Sequence, residues 1–158
     1  MVSEFLFSHK IFIFPRTRII YMSLTHLIEE IKDIVDKIRL SDPAISRVLI
    51  SDNQGVEIVQ YVKSFRYSES EKKSKNPIIP LLNSIMLNSE KFLNFMRKSQ
   101  LEPFILTWMF EEYIILAASS SFGFIGVFCE KDVDSAIVKE VLKTESKKYN
   151  EMVKNIFQ

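Results

Sequence analysis

Two β-rich runs joined by a four-residue turn form the clearest local pattern in the chain. The segment from Arg47 to Tyr61 is rich in valine, leucine and isoleucine on both sides of Asp52-Asn53-Gln54-Gly55. Asp and Asn tolerate left-handed backbone, and Gly accepts positive φ without steric cost. The pattern therefore predicts a β-hairpin, with strands at about 47 to 51 and 56 to 62.

Helical periodicity appears before and after the hairpin. Apolar residues recur at spacings of three and four in a first helix opened by Ser23 or Thr25, and Pro43 ends any continuation. A second helix is expected to start at Asn76 and Pro77 and to end at about Arg97. Asn76 is a good cap, and the fixed φ of Pro77 suits the first helical turn. Its apolar positions cover more than one stripe, so we expect it to contact a second surface besides its own sheet.

The last part of the chain predicts three strands and a third helix. The strands are the apolar runs Phe104 to Phe110, Tyr113 to Ser119 and Gly123 to Cys129, and Asp132 is the expected cap of the helix. The apolar and polar residues of these runs do not alternate, which indicates strands covered on both faces. The fold class is therefore α+β, with the order α-β-β-α-β-β-β-α and a five-stranded antiparallel sheet flanked by helices on both faces.

A single domain is expected at residues 23 to 158, after a flexible N-terminal extension at residues 1 to 22. The extension contains apolar residues, but Glu4, Lys10 and Pro15 interrupt them before they reach the length of a signal-peptide core or a membrane span. It is either a segment that contacts a membrane surface or a partner, or an extension outside the fold. We favour the second interpretation, because termini that are not held in a core are usually mobile.

The charge and cysteine content limit the classes of partner and ligand that this protein is expected to bind. The 158 residues carry 21 basic and 20 acidic side chains, a formal net charge of +1, which gives no electrostatic reason to expect nucleic acid or an anionic membrane surface. Membrane association, if any, would be indirect. The single cysteine, Cys129, cannot form an internal disulfide, and two histidines cannot build a Cys/His metal cluster. We expect a reducing, cytoplasmic environment and no metal or cofactor.

The polar clusters suggest turns rather than catalysis. Ser119-Ser120-Ser121 is either a hydroxyl-rich turn or a phosphate site, and the absence of a neighbouring basic residue favours the turn. Glu111 and Glu112 are adjacent in a predicted turn between strands, where side chains of neighbouring residues point apart. No Gly-rich phosphate loop is present in the sequence. We therefore expect no catalytic residues and no enzyme activity.

Two segments resemble the roadblock superfamily. They are the hairpin from Val48 to Val56, and Ala118-Ser119-Ser120-Ser121 followed by an apolar strand and Glu130-Lys131-Asp132-Val133. Within the superfamily the sequence is most similar to the MAPK-scaffold subunits of the Ragulator complex. It departs from them at Phe122-Gly123-Phe124, which replaces an Asn-Thr-Gly after the serines.

The resemblance implies a non-catalytic adaptor. Roadblock proteins pair side by side, so that their third strands complete a ten-stranded sheet and their second helices pack together. A Ragulator-like subunit would pair with a roadblock-type partner, as a heterodimer or homodimer. The pair would recruit Rag-like small GTPases and MAPK-pathway kinases and support TOR signalling. A lipid-anchored partner would hold it on the late endosomal or lysosomal membrane.

The implied interface combines the third strand with one face of the second helix. Its residues are Phe92, Phe95, Met96, Phe104, Ile105, Leu106, Thr107, Trp108 and Met109. The strand would be an apolar edge, which is an aggregation liability unless another chain covers it. We expect Trp108 or a neighbouring phenylalanine to be the buried anchor, and a proline at Leu106 to remove an edge N–H and block pairing.

Other classes remain open at this point. A dynein-type roadblock light chain or another small GTPase regulator would share the fold. Dynein light chains are shorter and lack the Ala-Ser-Ser-Ser turn. A small-molecule sensor of the PAS or GAF type would need polar groups converging inside a pocket. The apolar strands leave little room for one.

Overall fold

The described part of the chain folds into one five-stranded sheet with three helices. The computed structural model describes residues 18–63, 78–96, 103–120 and 122–157. Its elements in chain order are α1 (Arg18–Leu40), β1 (Ile45–Ser51), β2 (Glu57–Val62), α2 (Ile78–Met96), β3 (Ile105–Met109), β4 (Tyr113–Ser120), β5 (Gly123–Glu130) and α3 (Ser135–Phe157). The predicted α+β class and element order are confirmed.

All neighbouring strands of the sheet are antiparallel, in the order β2-β1-β5-β4-β3. The β1–β2 hairpin and the β3–β4–β5 meander are each local in sequence, and pairing of β1 with β5 joins them. This arrangement leaves β2 and β3 as the two edges of the sheet.

Each face of the sheet carries its own apolar core. On one face, α1 and α3 pack over the sheet through buried residues such as Ile34, Val35, Ile38, Val138 and Leu142. On the other face, α2 forms a smaller core with Leu49, Leu82, Met86, Ile115, Ala117, Phe124 and Phe128. Covering on both faces explains why β4 and β5 read as nearly continuous apolar runs.

The β1–β2 turn has the chemistry that its sequence predicts. Gly55 has a φ of 79°, in the left-handed region. The Asp52 Oδ1 atom accepts hydrogen bonds of 2.8 Å from the backbone N–H groups of both Gln54 and Val56. The side chain of Asp52 therefore closes the turn, which fixes the register of the hairpin.

Two predicted helix starts are wrong. Helix α1 begins at Arg18, before Ser23 and Thr25. Helix α3 begins at Ser135, and its cap is Asp134, whose Oδ1 accepts from the Ala136 N–H at 3.1 Å and the Ile137 N–H at 3.3 Å. Asp132 lies instead in the turn after β5, where the Val133 N–H donates to the Glu130 carbonyl at 3.2 Å. Asp132 and Asp134 are both possible caps in the sequence. Asp132 belongs to the turn after β5, and Asp134 caps the helix.

Some predictions fall on segments outside the described residues. These are the extension before Arg18, the polar loop at 68 to 75, and the start of the second helix at Asn76 and Pro77. The division into residues 1 to 22 and 23 to 158 stays a prediction.

Candidate protein interface

The hydrogen bonds of β3 determine which of its backbone groups face the open edge. The Ser119 N–H donates to the Phe104 carbonyl at 2.9 Å, and the Phe110 N–H donates to the Tyr113 carbonyl at 2.9 Å. In an antiparallel ladder, residues alternate between those that bond the neighbouring strand and those that face away. Leu106 and Trp108 therefore bond β4, whereas Ile105, Thr107 and Met109 present their N–H and C=O groups to the open edge.

This alternation corrects one prediction. A proline at Leu106 would not remove an edge N–H, because the Leu106 N–H lies inside the ladder, opposite Ala117 of β4. It would damage the protein's own sheet instead. The central residue with a free edge N–H is Thr107, whose side chain is exposed.

The side chains of β3 divide between the two faces of the sheet. Phe104, Leu106 and Trp108 are partly buried and pack against the α2 core, and Ile105 packs against the α1/α3 core. Met109 is 78% exposed. Trp108, one of the expected anchors, is thus partly engaged within its own chain, and Thr107 and Met109 are the two strand residues left open.

An exposed aromatic pair lies next to this edge. The rings of Phe110 and Tyr113 stack with centroids 4.5 Å apart and are 46% and 41% exposed. The sequence-based interface did not include them. The signal was available, since two aromatic residues flank the charged turn Glu111-Glu112. The two rings form an exposed aromatic surface at the tip of the β3–β4 hairpin.

Helix α2 is apolar on more than its buried face. Leu82 and Met86 are buried against the sheet, whereas Leu81 is 59% exposed and Leu87 is also exposed. This agrees with the predicted second apolar surface of the helix. The backbone is helical to Met96, but the side chains of Phe92, Phe95 and Met96 lie outside the described residues. Their predicted place in the interface stays a prediction.

Comparison with known proteins finds similarity in structure only. No family model and no curated protein matches the sequence. Among solved structures, the gliding protein MglB from Thermus thermophilus superposes with a TM-score of 0.65 at 8% identity, covering 82% of this chain and 92% of MglB. An MglB with a tetrameric arrangement gives a TM-score of 0.63 at 8% identity and covers 84% and 91% of the two chains. The roadblock/LC7 domain from Streptomyces avermitilis gives 0.56 at 9% identity, covering 76% and 94%.

The chain has the roadblock/LC7 fold. At identities of 8% and 9% the likeness extends to the fold alone. The order of elements, the position of β3 at an edge and the coverage of both faces are the features on which it depends.

The serines of the β4–β5 turn stabilise this roadblock/LC7 fold locally. The Ser119 Oγ accepts from the Phe104 N–H at 3.0 Å, and the Ser120 Oγ donates to Asn150 Oδ1 at 2.6 Å while accepting from the Phe122 N–H at 3.2 Å. Ser121 lies outside the described residues. Ser119 and Ser120 border a cleft of about 200 Å³ whose other described lining residues are Asn53, Asn83, Met86, Leu87 and Gly123. None of these is charged, which favours the turn over a phosphate site.

The turn also requires the glycine that follows it. Gly123 has a φ of 136°, and a Cβ there would lie 1.8 Å from the Ser51 carbonyl oxygen. The backbone of the β4–β5 turn therefore touches the end of β1 directly. This close approach explains why residue 123 is a glycine.

Burial holds the Cys129 thiol and the Tyr149 hydroxyl in neutral form. Burial, with the Asp42 carboxylate nearby, raises the pKa of Cys129 to about 12. Burial also raises the pKa of Tyr149 to about 12, with Asp52 contributing. At neutral pH the Cys129 thiol is therefore protonated and behaves as a small apolar side chain.

Metal-binding clusters and membrane spans are absent from the described part of the chain. In residues 18–63, 78–96, 103–120 and 122–157, no three His, Cys, Asp or Glu side chains are placed to hold a metal ion. None of the helices in these ranges is long and apolar enough to cross a bilayer. The edge of β3 and the adjacent aromatic surface remain the features that call for a partner.

Proposed function

We propose that this protein is a non-catalytic adaptor that pairs through β3 with a roadblock-type protein, and that the pair forms a platform for a small GTPase. The observation that carries the proposal is the open edge of β3. Three residues there, Ile105, Thr107 and Met109, present backbone groups outward, and the strand Ile105–Met109 contains no charged residue. An edge with this composition recruits other strands unless it is covered.

The surfaces next to the edge support the same role. Met109, Phe110 and Tyr113 add exposed apolar area at one end of β3, and Leu81 and Leu87 add it on α2. Apolar and aromatic surface of this kind is enriched at the centres of protein interfaces. A structural neighbour, MglB, occurs in a tetrameric arrangement, so the fold is compatible with assembly.

The finer proposal is a Ragulator-like subunit. It rests on the likeness of the Val48-to-Val56 hairpin and the Ala118-Ser119-Ser120 turn to the MAPK-scaffold subunits. In this role the pair would recruit Rag-like GTPases and MAPK-pathway kinases. A lipid-anchored partner would hold it on the cytoplasmic face of late endosomes or lysosomes. Affinity purification from cells, with mass spectrometry, tests this role. Recovery of dynein subunits without Rag-like GTPases would favour the light-chain alternative.

The pairing itself is tested by Thr107→Pro. This change removes the central N–H of the open edge but no bond to β4, so we expect loss of pairing with retention of the fold. Thr107→Val keeps the N–H and nearly the same shape, and is the matched control. Light scattering after size exclusion, on the protein alone and with roadblock-type candidates, gives the mass. Circular dichroism reports the fold. If Thr107→Pro pairs as well as Thr107→Val, the interface is elsewhere and the proposal fails.

The non-catalytic part has its own test. The purified protein should hydrolyse neither GTP nor ATP, because the Ser119 and Ser120 hydroxyls are engaged in the turn. Turnover that persists through purification and is lost in Ser120→Ala would contradict the adaptor role.

A further inference from the structure

We propose that the cleft beside Asn83 and Ser119 binds one neutral amide side chain, a glutamine or an asparagine, of a protein partner. The cleft has a volume of about 200 Å³ and is bordered by α2, the β1–β2 turn and the β4–β5 turn. It lies at the ends of β1, β4 and β5, the three internal strands of the sheet. This site is therefore additional to strand pairing along the open edge of β3.

The side chain of Asn83 is fixed against the β1–β2 turn. Asn83 is 7% exposed, and its Nδ2 atom donates to the Asn53 carbonyl at 3.3 Å. Gly55 makes room for it, because a Cβ there would lie 3.2 Å from the Asn83 Cβ. Within the described residues the amide makes this one hydrogen bond, although it has two N–H donors and an acceptor oxygen. One N–H and the Oδ1 atom are therefore open to a ligand.

The hydroxyl of Ser119 adds a donor to the same cleft. The Ser119 Oγ accepts from the Phe104 N–H at 3.0 Å, and in the part of the chain that the structure describes its own proton has no acceptor. The Ser120 hydroxyl, in contrast, already donates to Asn150. A ligand that complements both open groups must offer a donor and an acceptor together. A primary amide does so.

The charge and size of the cleft limit the ligand further. The described lining residues carry no charge, so a charged ligand group would lose its hydration without gaining a counter-charge. A cavity of about 150 Å³ accommodates benzene, whereas drug-sized ligands occupy about 300 to 1,000 Å³. The cleft therefore fits a single neutral side chain rather than a nucleotide or an organic cofactor.

The rim of the cleft favours a protein as the source of that side chain. Leu87 lies one helical turn after Asn83, borders the cleft and is 36% exposed. A partner surface that covers Leu87 gains apolar contact while its amide enters the cleft. A free molecule of the same size gains less, because binding energy is limited by the number of non-hydrogen atoms.

Capped amino acids test the site in the natural protein. N-acetyl-glutamine N-methylamide presents its side chain as a residue within a chain does. We expect it to shift the NMR signals of the Ser119 and Gly123 N–H groups until they saturate. At about pH 7 the capped glutamate, which is charged, and the capped methionine, which has no amide group in its side chain, should bind about tenfold more weakly. No shift with capped glutamine, or equal binding of all three, would overturn the site.

Variants of the lining residues locate the binding. Asn83→Leu removes the amide at similar volume and should abolish saturation by capped glutamine. Asn88→Leu makes the same change at an exposed position of the same helix and is the matched control. Ser119→Ala, which removes the open donor, should weaken binding severalfold, and it decides the matter if circular dichroism shows that Asn83→Leu does not fold. Unchanged binding in the folded variants would overturn the assignment.

Free glutamine distinguishes a partner's side chain from a small molecule. It carries the same amide but adds an ammonium and a carboxylate, so we expect it to bind about tenfold more weakly than capped glutamine. Equal or tighter binding would overturn the protein partner in favour of a free ligand. Thr107→Pro should bind capped glutamine as the natural protein does. Loss of binding in that variant would show that the cleft is not separate from the β3 edge.

Discussion

The two edges of the sheet differ in how they are protected. Strand β2 (Glu57–Val62) carries a glutamate and a glutamine and is followed by Lys63, whereas β3 (Ile105–Met109) carries no charge. The pairing of β1 with β2 also has a register shift between Ile50 and Ser51, while β3 pairs with β4 without one. Charges and bulges are the usual devices against edge-to-edge association. The sequence thus protects the β2 edge against pairing with another strand and leaves the β3 edge unprotected.

The β2 edge is held by polar contacts within the chain. The Arg47 Nη2 atom donates to Glu57 Oε2 and to Gln60 Oε1, each at 3.0 Å. The guanidinium lies 5.4 Å from the centre of the Phe128 ring, and Arg47 itself is buried. The Lys63 ammonium donates to the Pro43 carbonyl at 2.8 Å. Polar side chains at the β2 edge are therefore bonded within the same chain. The open edge of β3 is better suited to a partner.

The largest effect should come from proline at two adjacent positions of β3. Leu106→Pro removes a bond to β4 and part of the packing on the α2 core, and we expect a loss of about 3 kcal/mol in the free energy of unfolding. Thr107→Pro removes no internal bond. Urea midpoints of the two variants are compared at low protein concentration, where pairing stabilises neither of them. Equal midpoints would show that the assigned alternation of β3 is wrong.

At the β2 edge, Arg47→Ala should lower the free energy of unfolding by about 3 kcal/mol, because it leaves the partly buried Glu57 without its cation. The double variant Arg47→Met/Glu57→Gln removes both charges while keeping most of the volume, and should recover much of the loss. Chemical denaturation measures both. No recovery in the double variant would mean that Arg47 stabilises through packing on Phe128 rather than through charge.

An added charge at Thr107 sharpens the contrast between the edges further. Thr107→Lys places a charge at the centre of the open edge, where a pairing strand would cover it, and should raise the Kd of the pair at least tenfold, about 1.4 kcal/mol. Thr107→Glu should do the same, and Thr107→Ser, which adds no charge, is the matched control. Analytical ultracentrifugation measures the Kd, and a Kd that neither charge changes would show that the interface lies elsewhere.

The pH dependence of β2 follows from Glu57. Burial raises the pKa of this carboxyl above its ordinary value of 4.5, and the Arg47 charge only partly opposes the shift. The raised pKa favours the neutral form in the folded state. Its contribution to stability is therefore present below pH 4.5 and is lost as the pH rises through the raised pKa.

Glu57→Gln tests this sign because it keeps a neutral side chain at every pH. We expect the stability of the variant relative to the natural protein to be more favourable at about pH 7 than at about pH 4. Thr107→Gln on β3, where no titratable group is replaced, is the control. The opposite trend for Glu57→Gln would show that the ion pair with Arg47 outweighs burial.

The fold and the edge position of β3 could be predicted from the sequence, but the direction in which the backbone groups of β3 point could not. Hairpin turn chemistry at Asp52 and Gly55 and the apolar runs of β3 to β5 define elements that neighbour each other in sequence. Which N–H of β3 faces outward depends on a pairing phase set by Phe104 and Phe110 with β4. A shift of one residue in that phase exchanges Leu106 and Thr107. The apolar pattern of the strand is compatible with either phase, and so the sequence-based prediction placed the proline at the wrong residue.

The smallest effect concerns Lys63 at the end of β2. Its bond to the Pro43 carbonyl is exposed, so Lys63→Met should cost less than about 1 kcal/mol, and Lys63→Arg should be close to neutral. We also expect no additional assembly in Lys63→Met, because the register shift and the Arg47 contacts still blunt the β2 edge. Light scattering at high concentration, in a Thr107→Pro background that closes the β3 edge, isolates this effect. An increase in mass there would show that a single lysine, rather than the bulge, keeps the β2 edge from pairing.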